Sequence, residues 1–117
     1  MPTLTAEAGQ LVVGLSPLER LAALRGDVRL PLAALRSVSV EPTPWAAVRG
    51  VRAPGTGVPG VILYATMRVT GDRNDFVAIL GRNRPAVLLE FDPPAEFARV
   101  LVVVANPALA VAGLAGA

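Results

Sequence analysis

Three residue types are missing from this 117-residue chain: it has no cysteine, no histidine and no lysine. Without cysteine there are no disulfides, thiolate nucleophiles or zinc–thiolate sites. Without histidine the chain lacks the usual general base, the commonest metal ligand and the side chain that titrates near neutrality. Serine occurs only at Ser16, Ser37 and Ser39, and none of them has a histidine to activate it for acyl transfer. Aromatic residues are just as scarce: Trp45, Tyr64, Phe76, Phe91 and Phe97. Stacking successive bases of single-stranded nucleic acid takes several such platforms beside basic residues, so no specific nucleic-acid partner is expected. These gaps together predict a non-enzymatic protein with no cofactor and no metal.

Charge is thin too, at 17% of residues against about 25% in a typical domain. Hydrophobic residues make up 53%. With so few charges some apolar surface must stay exposed or meet a partner, which favours self-association or another protein partner, with a homo-oligomer expected. The isoelectric point near 10.4 looks like a nucleic-acid signature, but the formal excess is only +2. Almost nothing titrates between the carboxylates and arginine, so a small excess crosses zero only at high pH. Using arginine alone for positive charge, in a chain rich in Ala, Gly, Pro and Val, fits a GC-rich genome.

The start, Met1-Pro2-Thr3-Leu4-Thr5, has neither a positive region nor an apolar run behind it, so no signal peptide is expected. From Val100 to Ala117 no side chain is charged, a length near the lower limit of about 17 residues for a membrane helix. Asn106-Pro107 interrupts that stretch, and the β-branched Val100-Leu101-Val102-Val103-Val104 reads as a buried strand. A cytoplasmic protein without a transmembrane segment is therefore expected.

Local signals give the order of elements. Leu4–Glu7 and Gln10–Leu15 read as a hairpin about Ala8-Gly9. Ser16-Pro17-Leu18-Glu19 matches a capping box with proline at the first helical position, predicting a helix over 17–25 that Gly26 ends. Leu18, Leu21 and Ala22 share one face of it. A single turn is expected at 31–34 and a strand over 35–41. Pro42 to Gly60 holds Pro42, Pro44, Pro54 and Pro59 with Gly50, Gly55, Gly57 and Gly60, a density that predicts one long loop. Strands follow at 61–69, 76–80, 86–91 and 97–104, separated by turn residues. A closing helix over 107–115 is capped by Asn106, with Leu109, Ala112 and Gly113 on its packing face. Phe91 and Phe97 are expected in the core.

This pattern predicts a single mainly β (α+β) domain over 1–117, a small antiparallel barrel of about seven strands with a short helix after the first hairpin and a C-terminal helix capping one end. The order resembles the pleckstrin-homology-like (PH-like) superfold, in the version found in small bacterial proteins of unknown function. The resemblance rests on Leu15-Ser16-Pro17-Leu18-Glu19 before Gly26-Asp27-Val28-Arg29, and on Pro44-Trp45 leading into Arg49–Gly60. It implies a binding or assembly role. Lipid-binding members carry several cations in the first hairpin loop, whereas Glu7-Ala8-Gly9-Gln10 here has none.

The candidate binding residues come from two turns-rich segments. In the 42–60 segment Arg49 and Arg52 can offer forked donors to a carboxylate or phosphate, and Trp45 a stacking face or a packed lid. In Gly81-Arg82-Asn83-Arg84-Pro85, Arg82 and Arg84 sit on a turn where they can meet an acidic partner, or simply face solvent. No Gly-rich phosphate cradle of recognised spacing occurs. Asp72, Asp75, Glu90, Asp92 and Glu96 are the carboxylates that could perform glycoside chemistry or hold a hard cation. Their position at turns reads instead as ordinary solubility placement. The leading expectation is a protein-interaction or self-assembly module. The alternative is peripheral binding of a small anion or anionic lipid headgroup through the 42–60 segment.

Overall fold

The computed structural model describes residues 1–115. Its nine strands form two sheets. The smaller is a meander of β1 (Thr3–Glu7), β2 (Gln10–Gly14) and β3 (Val28–Pro31). Ala8 and Gly9 turn the first hairpin with φ of 48° and 78°, the left-handed pair that a two-residue hairpin loop needs to match strand twist. Helix α1 (Pro17–Ala23) sits between β2 and β3. Its capping box forms as expected, Ser16 Oγ accepting from the Glu19 N–H at 3.2 Å and Glu19 Oε1 from the Ser16 N–H at 2.8 Å. The helix stops at Leu24, itself left-handed with φ of 56°, two residues before Gly26.

The larger sheet runs β4 (Leu35–Glu41), β8 (Ala86–Phe91), β9 (Phe97–Val102), β7 (Asn74–Leu80), β6 (Ile62–Arg68), β5 (Val51–Val58). β7 and β9 pair in parallel, and every other pairing is antiparallel. The mainly β class stands, but the expected small antiparallel barrel of about seven strands does not: nine strands divide between two sheets, and one central pair is parallel. Burial explains the order. In β7 Asp75 through Ile79 are all buried, and β9 is buried at every position but Arg99. Strands that are apolar on both faces belong at the centre of a sheet. β8, whose Leu88 and Glu90 are half-exposed, takes the place beyond β9, next to the exposed β4.

The 42–60 segment is the second correction. It is not one loop: Pro44–Ala47 forms a helical turn, α2, and Val51–Val58 is the edge strand β5. An edge strand tolerates proline because one row of its N–H groups has no ladder partner. The register shifts between Ala53 and Gly55, across Pro54. Gly55 has a φ of 139°, and a Cβ there would strike the Tyr64 carbonyl oxygen, so the residue types that argued against a strand are the ones that fit its bulge.

Between the sheets lies a core built on Leu11, Val13, Leu30, Phe76, Phe91 and Phe97. A second cluster covers the opposite face of the large sheet, where Leu63, Val77, Ile79 and Leu101 meet Trp45 and Val48. Helix α3 (Pro107–Ala115) is capped by Asn106, whose side chain accepts from the Leu109 N–H at 3.1 Å. It packs through Leu114, Ala110 and Val111, not through the expected Leu109, Ala112 and Gly113; Leu109 is 69% exposed. In a helix this rich in alanine no face stands out, and position against β4 and β8 decides. Among the described residues no helix is long and apolar enough to cross a membrane.

Candidate interaction surface at the Trp45 cleft

Proline at the start of α2 fixes the chain direction as it crosses the outer face of the large sheet. Trp45 then lies against the second cluster, and its indole N–H donates to the Gly81 carbonyl at 2.8 Å. That bond ties the 42–50 segment to the turn carrying Arg82 and Arg84. Between Trp45 and the β5–β6 turn is a depression of about 490 Å³, lined chiefly by Trp45, Val51, Val58, Pro59 and Leu63 with Arg52 beside them. Val51 is 72% exposed and Val58 50%.

Two guanidiniums flank this turn. Arg52 donates to its own strand's Gly57 carbonyl at 3.0 Å. Arg82 stands against Gly60, where a Cβ would come within 3.1 Å of its Nη2. Among the described residues neither forms a salt bridge with a carboxylate. Arg84 has none among them either; its Nη1 donates to the Met1 sulfur at 3.8 Å. Trp45, Arg52 and Arg82, which the sequence places on two separate segments, are thus brought to the surroundings of one turn, with Arg84 on the same turn as Arg82.

Arg49 is not part of this surface. It makes a two-pronged contact with Asp75, Nε to Oδ2 at 2.7 Å and Nη2 to Oδ1 at 2.9 Å, and reaches Asp72 at 3.2 Å. The hydrogen bonds that Arg49 donates to Asp75 outweigh burial and push the Arg49 pKa above its ordinary value. Asp75 is 1% exposed. Its second cation is Arg99, whose Nε lies 3.6 Å from Oδ2 while Nη2 donates to the Ala47 carbonyl at 2.6 Å. Arg49, Asp75 and Arg99 therefore clamp the α2–β5 connection onto β7 and β9. Asp72, on the surface, has its carboxyl held below the usual range by the Arg73 backbone N–H and by Arg49.

Two buried carboxylates escaped the sequence reading. Asp75 looked like a turn residue, although it heads the apolar run Phe76–Leu80, a signal that it enters the sheet. For Glu19 the sequence shows only its place in the capping box. Its second oxygen, Oε2, accepts from the Tyr64 hydroxyl at 2.8 Å and sits 3.3 Å from the terminal ammonium. Burial works to raise the Glu19 pKa, but the Ser16 N–H, Tyr64 and the ammonium together hold it below the ordinary value. Arg73 plays a related part, donating to the carbonyls of Phe91, Ala95 and Phe97 at 2.7–3.1 Å and so bracing the β8–β9 turn.

The chain matches no protein-family model, and it is significantly similar to no curated protein and no solved structure. Among the described residues no three Asp or Glu side chains converge as a metal site.

Proposed function

We propose that this chain is a non-enzymatic protein-interaction module whose cleft, between Trp45 and the β5–β6 turn, takes an acidic partner segment bearing apolar side chains. The observation that carries this reading is the pairing of an apolar depression with Arg52 and Arg82, which meet no carboxylate among the described residues. Apolar anchors in a cleft supply affinity, and guanidiniums at the rim steer and orient a partner of opposite charge.

Panning a displayed library of random peptides on the protein tests this. Enriched peptides should carry Asp or Glu next to an aromatic or aliphatic residue. Their binding should change the emission of Trp45, the single tryptophan. Arg52→Glu combined with Arg82→Glu should weaken the best peptide at least about tenfold, the effect of losing roughly 1.4 kcal/mol. Enrichment without acidic bias, or equal binding to the double variant, counts against the reading. The same two guanidiniums favour a second reading, a small anion or anionic lipid headgroup. Salt-sensitive sedimentation with phosphatidylserine vesicles, lost in the double variant, would select it over the peptide.

A further inference from the structure

The best-capped helix of the chain is turned inside out. Leu18 is 75% exposed and Leu21 69%, while Glu19 is 8% exposed and Ala23 fully buried. The cause is the capping box. It fixes Glu19 at the third helical position, and Tyr64 and the terminal ammonium hold its carboxylate inward. With positions 19 and 23 facing the protein, 18 and 21 must face out. Leu24 continues the row at the C-cap and is 62% exposed. It does so in a left-handed conformation that a leucine adopts at a cost and a glycine does not. A chain selected only for solubility has no reason to keep a leucine there.

We infer that Leu18, Leu21 and Leu24 form the centre of a two-fold interface with a second copy of this chain. Three lines of argument select that occupant. The three side chains expose on the order of 350 Å² of apolar surface, about half of the ~800 Å² each partner buries in a specific complex. The remainder falls to the rim, as in ordinary interfaces. The row is also its own complement. Leu18 and Leu24 lie three positions either side of Leu21, so a two-fold axis at Leu21 lays Leu18 of one copy on Leu24 of the other. Finally, the flanking charges are neutralised within each copy. Arg20 pairs with Asp27 at 3.2 Å and Arg25 with Glu96 at 3.7 Å. Two copies therefore approach without repulsion, and neither of these paired arginines offers a free charge to an anionic membrane. This surface is independent of the Trp45 cleft, so either assignment can fail without the other.

Sedimentation equilibrium on the full chain tests it. At about 100 µM the wild type should have twice the chain mass, and Leu21→Glu should weaken association at least about tenfold while its circular dichroism is unchanged. Because the chain has no cysteine, a second experiment needs no loss of function. Leu21→Cys should form a disulfide between two chains on mild oxidation, and Leu109→Cys, equally exposed on α3, should not. A wild-type monomer at that concentration overturns the inference. So does a dimer indifferent to Leu21→Glu, or equal cross-linking at residues 21 and 109. Binding of phosphatidylcholine vesicles by the wild type in place of self-association would also overturn it.

Discussion

Arg49 and Arg52 are three residues apart and have opposite fates. Arg49 is spent inside the protein, gripping Asp75 with two hydrogen bonds and sharing it with Arg99. Arg52 lies on the edge strand, meets among the described residues only a backbone carbonyl, and leaves its charge available to solvent or a partner. The residue type is the same, and so is the local composition. The difference comes from where the backbone runs. α2 carries Arg49 across the face of the sheet to the buried end of β7, whereas β5 turns Arg52 toward the cleft. An arginine is a binding candidate only when nothing inside the fold has already claimed it.

The strongest way to break this comparison is Asp75→Ala. Removing Asp75 takes the carboxylate from Arg99 and leaves Arg49 only the surface Asp72, and breaking a buried charge cluster in this way costs about 3–5 kcal/mol. Urea denaturation should show that drop. A loss below about 1 kcal/mol, the level of an exposed pair, would mean that Arg49 is as free as Arg52.

A smaller effect is expected at Glu19, the other buried carboxylate. Glu19→Gln keeps the shape and loses the charge-assisted hydrogen bonds from Ser16 and Tyr64, costing about 1–2 kcal/mol at neutral pH. The folded pKa of Glu19 lies below its ordinary 4.5. Its contribution is therefore complete above pH 4.5 and fades as pH falls through the folded value. Thermal melts of wild type and Glu19→Gln should differ at pH 7 and converge in acid. Tyr64 supplies the opposite limb. Burial first, then its bond to Glu19, raise its pKa above the ordinary 10.0. The wild type should thus lose stability as pH climbs past 10 toward that folded value, a loss that Tyr64→Phe would not show.

These long-range pairs mark the boundary of what local pattern reveals. The helix at 107–115 and the strand at 86–91 have the bounds their caps and turns announce, because capping and turn chemistry act over three or four residues. β5 was hidden by Pro54 and Gly55, which oppose a central strand but suit a bulged edge. Periodicity gives α1 a leucine face but not the way that face points. That direction is set by Tyr64, 45 positions away. Sheet closure was also beyond local signals, since the parallel β7–β9 pair depends on which strands bury both faces. At the candidate site the sequence singles out Trp45, Arg52 and Arg82 on two Gly/Pro-rich segments, but that Trp45 is half-buried on α2 against the sheet follows only from the fold. Arg49 was not separable from them until its carboxylate was located.

The smallest effect sharpens the comparison most. Arg52→Gln should change stability by no more than about 0.5 kcal/mol, the range of surface substitutions away from special contacts. The bond it gives up goes to an edge carbonyl that water can reach, so little is left unsatisfied. Arg49→Gln, by contrast, leaves Asp75 with Arg99 alone and should approach the cost of Asp75→Ala. Measured side by side in urea, the two variants share composition, charge change and neighbourhood, so any gap between them reports burial of the partner alone. A gap of several-fold or more in the destabilisation places Arg52 outside the folding machinery. Comparable losses would mean that Arg52 pins the β5–β6 turn, and the cleft would then owe its shape, not its charge, to that residue.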